Sequence, residues 1–214
     1  MNTAFKIITY TVQFITILTC VWYLLKNKLR QPYRFFAAGW AIFLTHDLSM
    51  VIIGLINPVK NHWVYNIVFP LLQLFCMWFF MSLLRQKKIW FIMVLFGVFA
   101  CLNLALWQGA TTLNTFSLAL GGIIILLLAS TVLFRLYRQE STESIFKEPA
   151  FWISTGFIFY WAIATPFFAM YNYLSQNFPD FFEIYFYTVS YFFIIGLNLC
   201  IIKSLQCSLS TTMR

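Results

Sequence analysis

Seven apolar stretches, at about residues 7–25, 35–56, 64–84, 89–106, 115–134, 150–173 and 184–202, leave this chain few ways to fold. Each is long enough, or nearly so, to cross a hydrocarbon core of about 30 Å as an α-helix. In lipid the backbone must satisfy its own hydrogen bonds, and a helix does so within one segment. The expected fold is therefore all-α, a polytopic membrane protein of seven transmembrane helices, with residues 1–214 forming one domain. Composition agrees: 9% of residues are charged, 62% are hydrophobic, and the mean hydropathy is +0.81. A soluble domain carries about 25% charged residues. A soluble enzyme, a nucleic-acid-binding domain and a disordered regulator are excluded on that ground.

The 14 Lys and Arg give orientation. Twelve of them (Lys26, Lys28, Arg30, Arg34, Arg85, Lys87, Lys88, Arg135, Arg138, Lys147, Lys203 and Arg214) fall in the odd connections and the C-terminal tail. Only Lys6 and Lys60 fall on the other side. Cytoplasmic loops collect Lys and Arg, so the N-terminus is expected outside and the C-terminus in the cytoplasm. An even number of spans would scatter these charges over both faces. The same grouping accounts for the net charge of +8 without a basic stripe, so no nucleic-acid partner is expected. The first span has no basic segment before it and KNKLR after it, which argues against a cleaved signal peptide.

Five scattered cysteines, none in a CxxC pair, give neither a disulfide framework nor a zinc site, and no cofactor or metal is expected. Trp63, Tyr65, Trp107, Tyr171 and Tyr173 fall near outer span ends, and Trp22, Tyr23, Trp90 and Trp152 near inner ends. Those positions suit aromatic interface belts. The longest connection, at about 135–149, mixes Arg135, Arg138 and Lys147 with Glu140, Glu143 and Glu148 and reads as a solvated cytoplasmic loop.

Function is sought among polar residues inside the spans, because each must be compensated there. Asp47, beside His46 near the middle of the second span, is the only acid in any span. Adjacent helical residues point about 100° apart, so the two cannot share one direction. His46 follows the line Gly39, Ile42, His46, Ser49, Ile53; Asp47 follows Phe36, Trp40, Phe43, Asp47, Met50, Gly54. Gln13, Thr16, Gln73, Asn103 and Asn198 lie at compatible depth as partners. The functional reading is a ligand-binding or proton-responsive polar cluster; the structural one is a hydrogen-bond clamp between helices. Trp161, Tyr160 and Trp78 sit away from span ends, as pocket wall or as core filling. Pro70 and Pro166 are expected to kink the third and sixth helices, freeing carbonyls toward an outward cavity. Gly121-Gly122 permits bending or close helix approach.

Enzyme signatures such as HExxH, GxSxG and a P-loop are missing, there is no second intramembrane acid, and His62 lies about 16 residues from His46 in an outer loop. A lipid-modifying enzyme using His46 as base and Asp47 as orienter has poor geometry for adjacent residues on one helix. Gly39-Trp40-Ala41-Ile42-Phe43 and Gly156-Phe157-Ile158-Phe159-Tyr160 open spans of the same direction, as a three-plus-one-plus-three repeat would require.

NHWVYNIVFPLLQLF (61–75) and EPAFWISTGFIFYW (148–161) resemble segments of small seven-helix membrane proteins of Bacteroidota. The resemblance implies a bacterial cytoplasmic membrane and, since some such proteins accompany sensor histidine kinases, a kinase or other cytoplasmic partner. Gln73 stands where that family is expected to carry an acid after the proline, and no catalytic residues carry over. Together these readings point first to a sensory or regulatory protein that binds a small or lipophilic ligand and signals to a partner. The alternative is a small-solute transporter, forming a homo-oligomer and built on the repeat.

Overall fold

The computed structural model describes residues 3–26, 29–56, 62–86, 90–108, 112–138 and 144–210, with side chains at all of these except 3, 4, 54–56, 62, 183, 185–190, 209 and 210. The expectations placed on Lys28, Lys60, Lys87, Lys88, Glu140, Glu143, Arg214 and the His62 side chain fall outside them. Seven helices are long and apolar enough to cross a membrane, and the chain is a multi-pass membrane protein by that measure. They are α1 (Thr3–Leu25), α2 (Tyr33–Ile56), α3 (His62–Leu84), α4 (Trp90–Leu102), α5 (Thr115–Arg138), α6 (Pro149–Asn177) and α7 (Pro179–Ser210). Among the described residues there is no strand.

Local chemistry sets the ends. α6 and α7 each begin on a proline, whose fixed φ suits a first helical position and whose missing N–H costs nothing there. Before α6, a single 3₁₀ turn at Ile145–Lys147 leads into extended Glu148. Only Phe178 separates α6 from α7; its N–H reaches the Leu174 carbonyl at 2.9 Å and its own carbonyl accepts from Phe182 at 2.8 Å. Both helices therefore run past the apolar stretches at 150–173 and 184–202, because polar residues at a membrane edge need not end a helix. α4 widens into a π-helix at Asn103–Gln108, so Trp107 and Gln108 are helical rather than loop.

Six helices close a ring in the order α1, α2, α3, α5, α6, α7, and α4 packs outside it against α3 and α5. Exchanging α1 with α5, α2 with α6 and α3 with α7 leaves that order unchanged. Across the ring, Phe36 and Trp40 of α2 meet Phe79 and Phe80 of α3 and Phe157 of α6, all of them buried. Ring centroids lie 4.3 Å apart for Phe36–Phe79, 5.3 Å for Phe80–Phe157 and 5.6 Å for Trp40–Phe157, the last two edge-to-face. Such tilted and edge-on pairs suit the ring quadrupoles. This aromatic floor plugs the ring toward the end where α2 begins and α3 ends.

Glycines decide how closely the helices approach. A Cβ on Gly122 would lie 2.5 Å from both Thr165 Oγ1 and the Trp161 ring of α6, and one on Gly121 would overlap the Gln73 amide of α3. Gly39 takes the Phe75 ring of α3, and Gly156 takes Cys200 Cβ of α7 at 2.8 Å. Each of the last two thus receives the helix that follows it. In lipid, where apolar burial does not drive helices together, such small-residue contacts carry much of the packing. Gly121→Ala and Gly122→Ala are expected to cost about 1–3 kcal/mol each through overpacking. Gly97→Ala, with nothing within 4 Å, should be neutral or stabilising. Thermal unfolding of the three variants in detergent checks this, and equal midpoints would contradict it.

Candidate functional site

Inside the ring, above the aromatic floor, lies a cavity of about 350 Å³ walled by all six ring helices. Its lining positions lie toward the end of the bundle where α1 starts, from Gln13 on α1 and Asp47 on α2 to Leu118 on α5. Each helix is apolar on most sides, so the few polar side chains that face the cavity define its chemistry.

Asp47 is half-buried, and Gln13 Nε2 donates to its Oδ2 at 3.0 Å. A carboxylate only accepts, so the Gln13 amide must turn its nitrogen to Asp47. Gln13 Oε1 is thereby left buried without a partner. Gln73 repeats the pattern: Nε2 donates to the Leu118 carbonyl at 2.8 Å while Oε1 sits over Gly121, unpartnered. Trp40 Nε1 reaches Asn198 Oδ1 at 3.3 Å, and Asn198 Nδ2 bonds the Ile194 carbonyl at 2.9 Å. Trp161 is buried with its Nε1 unpartnered. Among the described residues no Lys or Arg neighbours Asp47 electrostatically.

Of the residues singled out from sequence, Gln13, Asp47, Gln73, Trp161 and Asn198 line this one cavity, as does Tyr160. His46 does not. Its helical line includes exposed Ile42, Ser49 and Ile53, whereas Asp47 shares a line with fully buried Phe36 and Trp40. The expected 100° divergence sends them to different faces, and no hydrogen bond joins them. Asn103 also lies elsewhere, because α4 is outside the ring. Its Nδ2 donates to Gln108 Oε1 at 2.8 Å, to Ser117 Oγ at 3.2 Å and to Asn114 Oδ1. The π-helical widening brings Asn103 and Gln108, five residues apart, side by side. Asn66 completes this second network, accepting from Asn114 N and donating to the Thr112 carbonyl, both at 2.7 Å. That network clamps α3, α4 and α5 and stands apart from the cavity.

The prolines stand apart from the cavity. Pro70 and Pro166 lie inside continuous helices, and neither they nor Asn66 and Ala162, whose carbonyls they free, line the cavity. Thr16 pairs within its own helix, donating to the Val12 carbonyl at 2.8 Å. Trp78 stands outside the cavity wall, edge-on to Phe35 and stacked with Phe75.

Sequence reasoning missed the tyrosines. Tyr65 and Tyr171 suit an interface belt by position, yet both face the cavity, with Tyr10 and Tyr191. Trp22, Trp63, Trp90, Trp107 and Tyr173 are more than half exposed, as lipid-facing belt residues are. The Tyr10 and Tyr191 rings pack edge-on at 6.2 Å, their hydroxyls 3.4 Å apart. Nothing local separates the two kinds of tyrosine, since the difference is one of helix rotation. Among the described residues no three His, Cys, Asp or Glu side chains lie together as a metal site would need.

A double-mutant cycle on Gln13→Leu and Asp47→Leu should return a coupling of about 0.6–1.7 kcal/mol, between the average and the maximum measured for interhelical hydrogen bonds in a membrane protein. Unfolding free energies in detergent give this number, and a coupling near zero would remove the bond from the account. Comparison with family models, with curated proteins and with solved structures finds no match to this chain.

Proposed function

We propose that this is a sensory or regulatory membrane protein that holds a small or lipophilic molecule inside its helix ring and signals to a partner protein. One observation carries the reading: the cavity of about 350 Å³, walled mainly by aromatic and aliphatic side chains and stopped at one end by the aromatic floor. Small-molecule sites are typically cavities of ~300–1,000 Å³ with apolar walls and a few placed polar groups. A pocket closed at one end suits a bound ligand better than a continuous pore.

The 12-to-2 division of Lys and Arg supports an N-terminus outside and a C-terminus in the cytoplasm. In that orientation the cavity faces outward and the floor lies toward the cytoplasm. α5 and α6 both wall the cavity, through Leu118, Phe157 and Trp161, and the chain between Arg138 and Pro149 joins them on the floor side. Arg135 ties that end to α3 by donating to the Leu84 carbonyl at 2.8 Å. A ligand that fits one spacing of α5 and α6 better than another would shift the population of that spacing, and with it the floor-side ends of the two helices. The resemblance to Bacteroidota proteins supports a bacterial cytoplasmic membrane and a sensor kinase or similar cytoplasmic partner, with homo-oligomers as a further form of assembly.

A transporter is the second reading, favoured by the ring order that survives exchange of the two three-helix halves. Parallel repeats of this kind occur in solute transporters. Native mass spectrometry on protein extracted from its own membrane separates the outcomes. A bound small molecule is expected, with Val51→Trp, which fills the cavity, cutting occupancy at least ~10-fold, equivalent to ~1.4 kcal/mol. A fluorophore at Ser144→Cys should respond when that molecule is added back to emptied protein. Equal occupancy in both proteins contradicts binding in the cavity. Asp47-dependent accumulation of the molecule in proteoliposomes makes transport the better reading.

A further inference from the structure

We infer that the molecule this cavity takes is an organic ammonium, a compact apolar or aromatic body whose one positive charge seats at Asp47. The inference rests on the ligand-binding reading above and narrows it to a chemical class. Among the described residues, Asp47 is the only carboxylate in the cavity wall, and no Lys or Arg lines it. Its one described hydrogen bond is the neutral amide of Gln13. A carboxylate at membrane depth needs a counter-charge, a water-filled space or a proton. His46 is the only side chain beside it that can carry positive charge, and it turns to the neighbouring face of α2, outside the wall.

The surroundings of the carboxylate select among ligands. Tyr65 and Tyr160 line the cavity within electrostatic range of Asp47, and Tyr10, Tyr171, Trp40 and Trp161 add further rings. Aromatic faces attract a nearby cation and offer nothing comparable to an anion. A carboxylate or phosphate ligand would meet like charge at Asp47, with no basic side chain among the described lining residues to hold it. A neutral apolar ligand would fill the volume and bury Asp47 further, leaving only a proton to meet its charge. An ammonium places N–H donors on the carboxylate and its charge against the rings. Size fits too: an apolar cavity of about 150 Å³ holds benzene, so about 350 Å³ has room for one ring and a short charged arm.

The test uses the full chain in nanodiscs of zwitterionic lipid, which do not concentrate cations at the bilayer surface. Three probes of matched shape are titrated by calorimetry: 2-phenylethylammonium, 2-phenylethanol and 3-phenylpropionate. The ammonium should bind at least ~30-fold tighter than the alcohol, as expected when a desolvated charge finds its partner. In Asp47→Asn that preference should fall to within ~3-fold through loss of ammonium affinity, the alcohol binding no more weakly than to the parent, and an unchanged monodisperse elution profile reports that the variant is folded. Tyr65→Leu should weaken the ammonium more than the alcohol, and Tyr65→Phe should behave as the parent because the ring remains. Equal binding of ammonium and alcohol, or tightest binding of the propionate, overturns the ammonium assignment and leaves the ligand-binding reading standing. If none of the three binds, the assignment fails, and native mass spectra that are also empty remove the broader reading with it.

Discussion

Two adjacent residues without side chains, Gly121 and Gly122, set how closely α3 and α6 approach α5, and the rest of the ring is spaced by that approach. Gln73 lies over the first glycine and Trp161 over the second. Those two side chains are also cavity wall. A membrane protein gains little from burying one apolar face against another, since lipid is equally apolar. Backbone proximity at small residues and a few interhelical hydrogen bonds must therefore fix the geometry. Gly39 and Gly156 extend the principle to the α2–α3 and α6–α7 contacts.

Within that frame the molecule separates two kinds of polar chemistry. At the rim, Asn66, Asn103, Gln108 and Asn114 bond one another and nearby backbone across α3, α4 and α5. That network leaves one buried oxygen, Asn103 Oδ1, without a partner, but it bonds its other groups to one another and serves to hold helices. In the ring, Asp47 has a single amide donor, Gln73 and Gln13 keep unpartnered oxygens, and aromatic rings fill the remaining wall. The contrast is physical: amides bonded to one another offer a ligand no charge, whereas a carboxylate facing an open volume does.

Helix number and the one intramembrane acid were legible in sequence because both follow from strong local rules, the length of apolar runs and the cost of charge in lipid. The divergence of His46 from Asp47 was legible too, since it needs only helical geometry. Which of the two faces inward was not, because α2 is apolar on every side and its outer face meets lipid. The same loss of contrast hid Tyr65 and Tyr171. A tyrosine near a helix end suits an interface belt or a cavity equally well, and only the helix rotation decides. Asn103 was misplaced because sequence gives depth along a helix without saying whether that helix belongs to the ring. α4 does not, and its π-helical end turns its polar residues toward α3 and α5.

The central claim is an open cavity at Asp47 stopped by an aromatic floor. Thiol labelling with a small, membrane-impermeant methanethiosulfonate reagent tests it most directly, on single cysteines placed in a background lacking the five native ones. Added from the side on which α1 begins, the reagent should modify Asp47→Cys and Tyr65→Cys, which face the cavity. It should leave Phe36→Cys and Phe79→Cys, which lie in and beneath the floor, unmodified. An unreactive thiol at position 47, or equal reaction above and below the floor, would contradict the account.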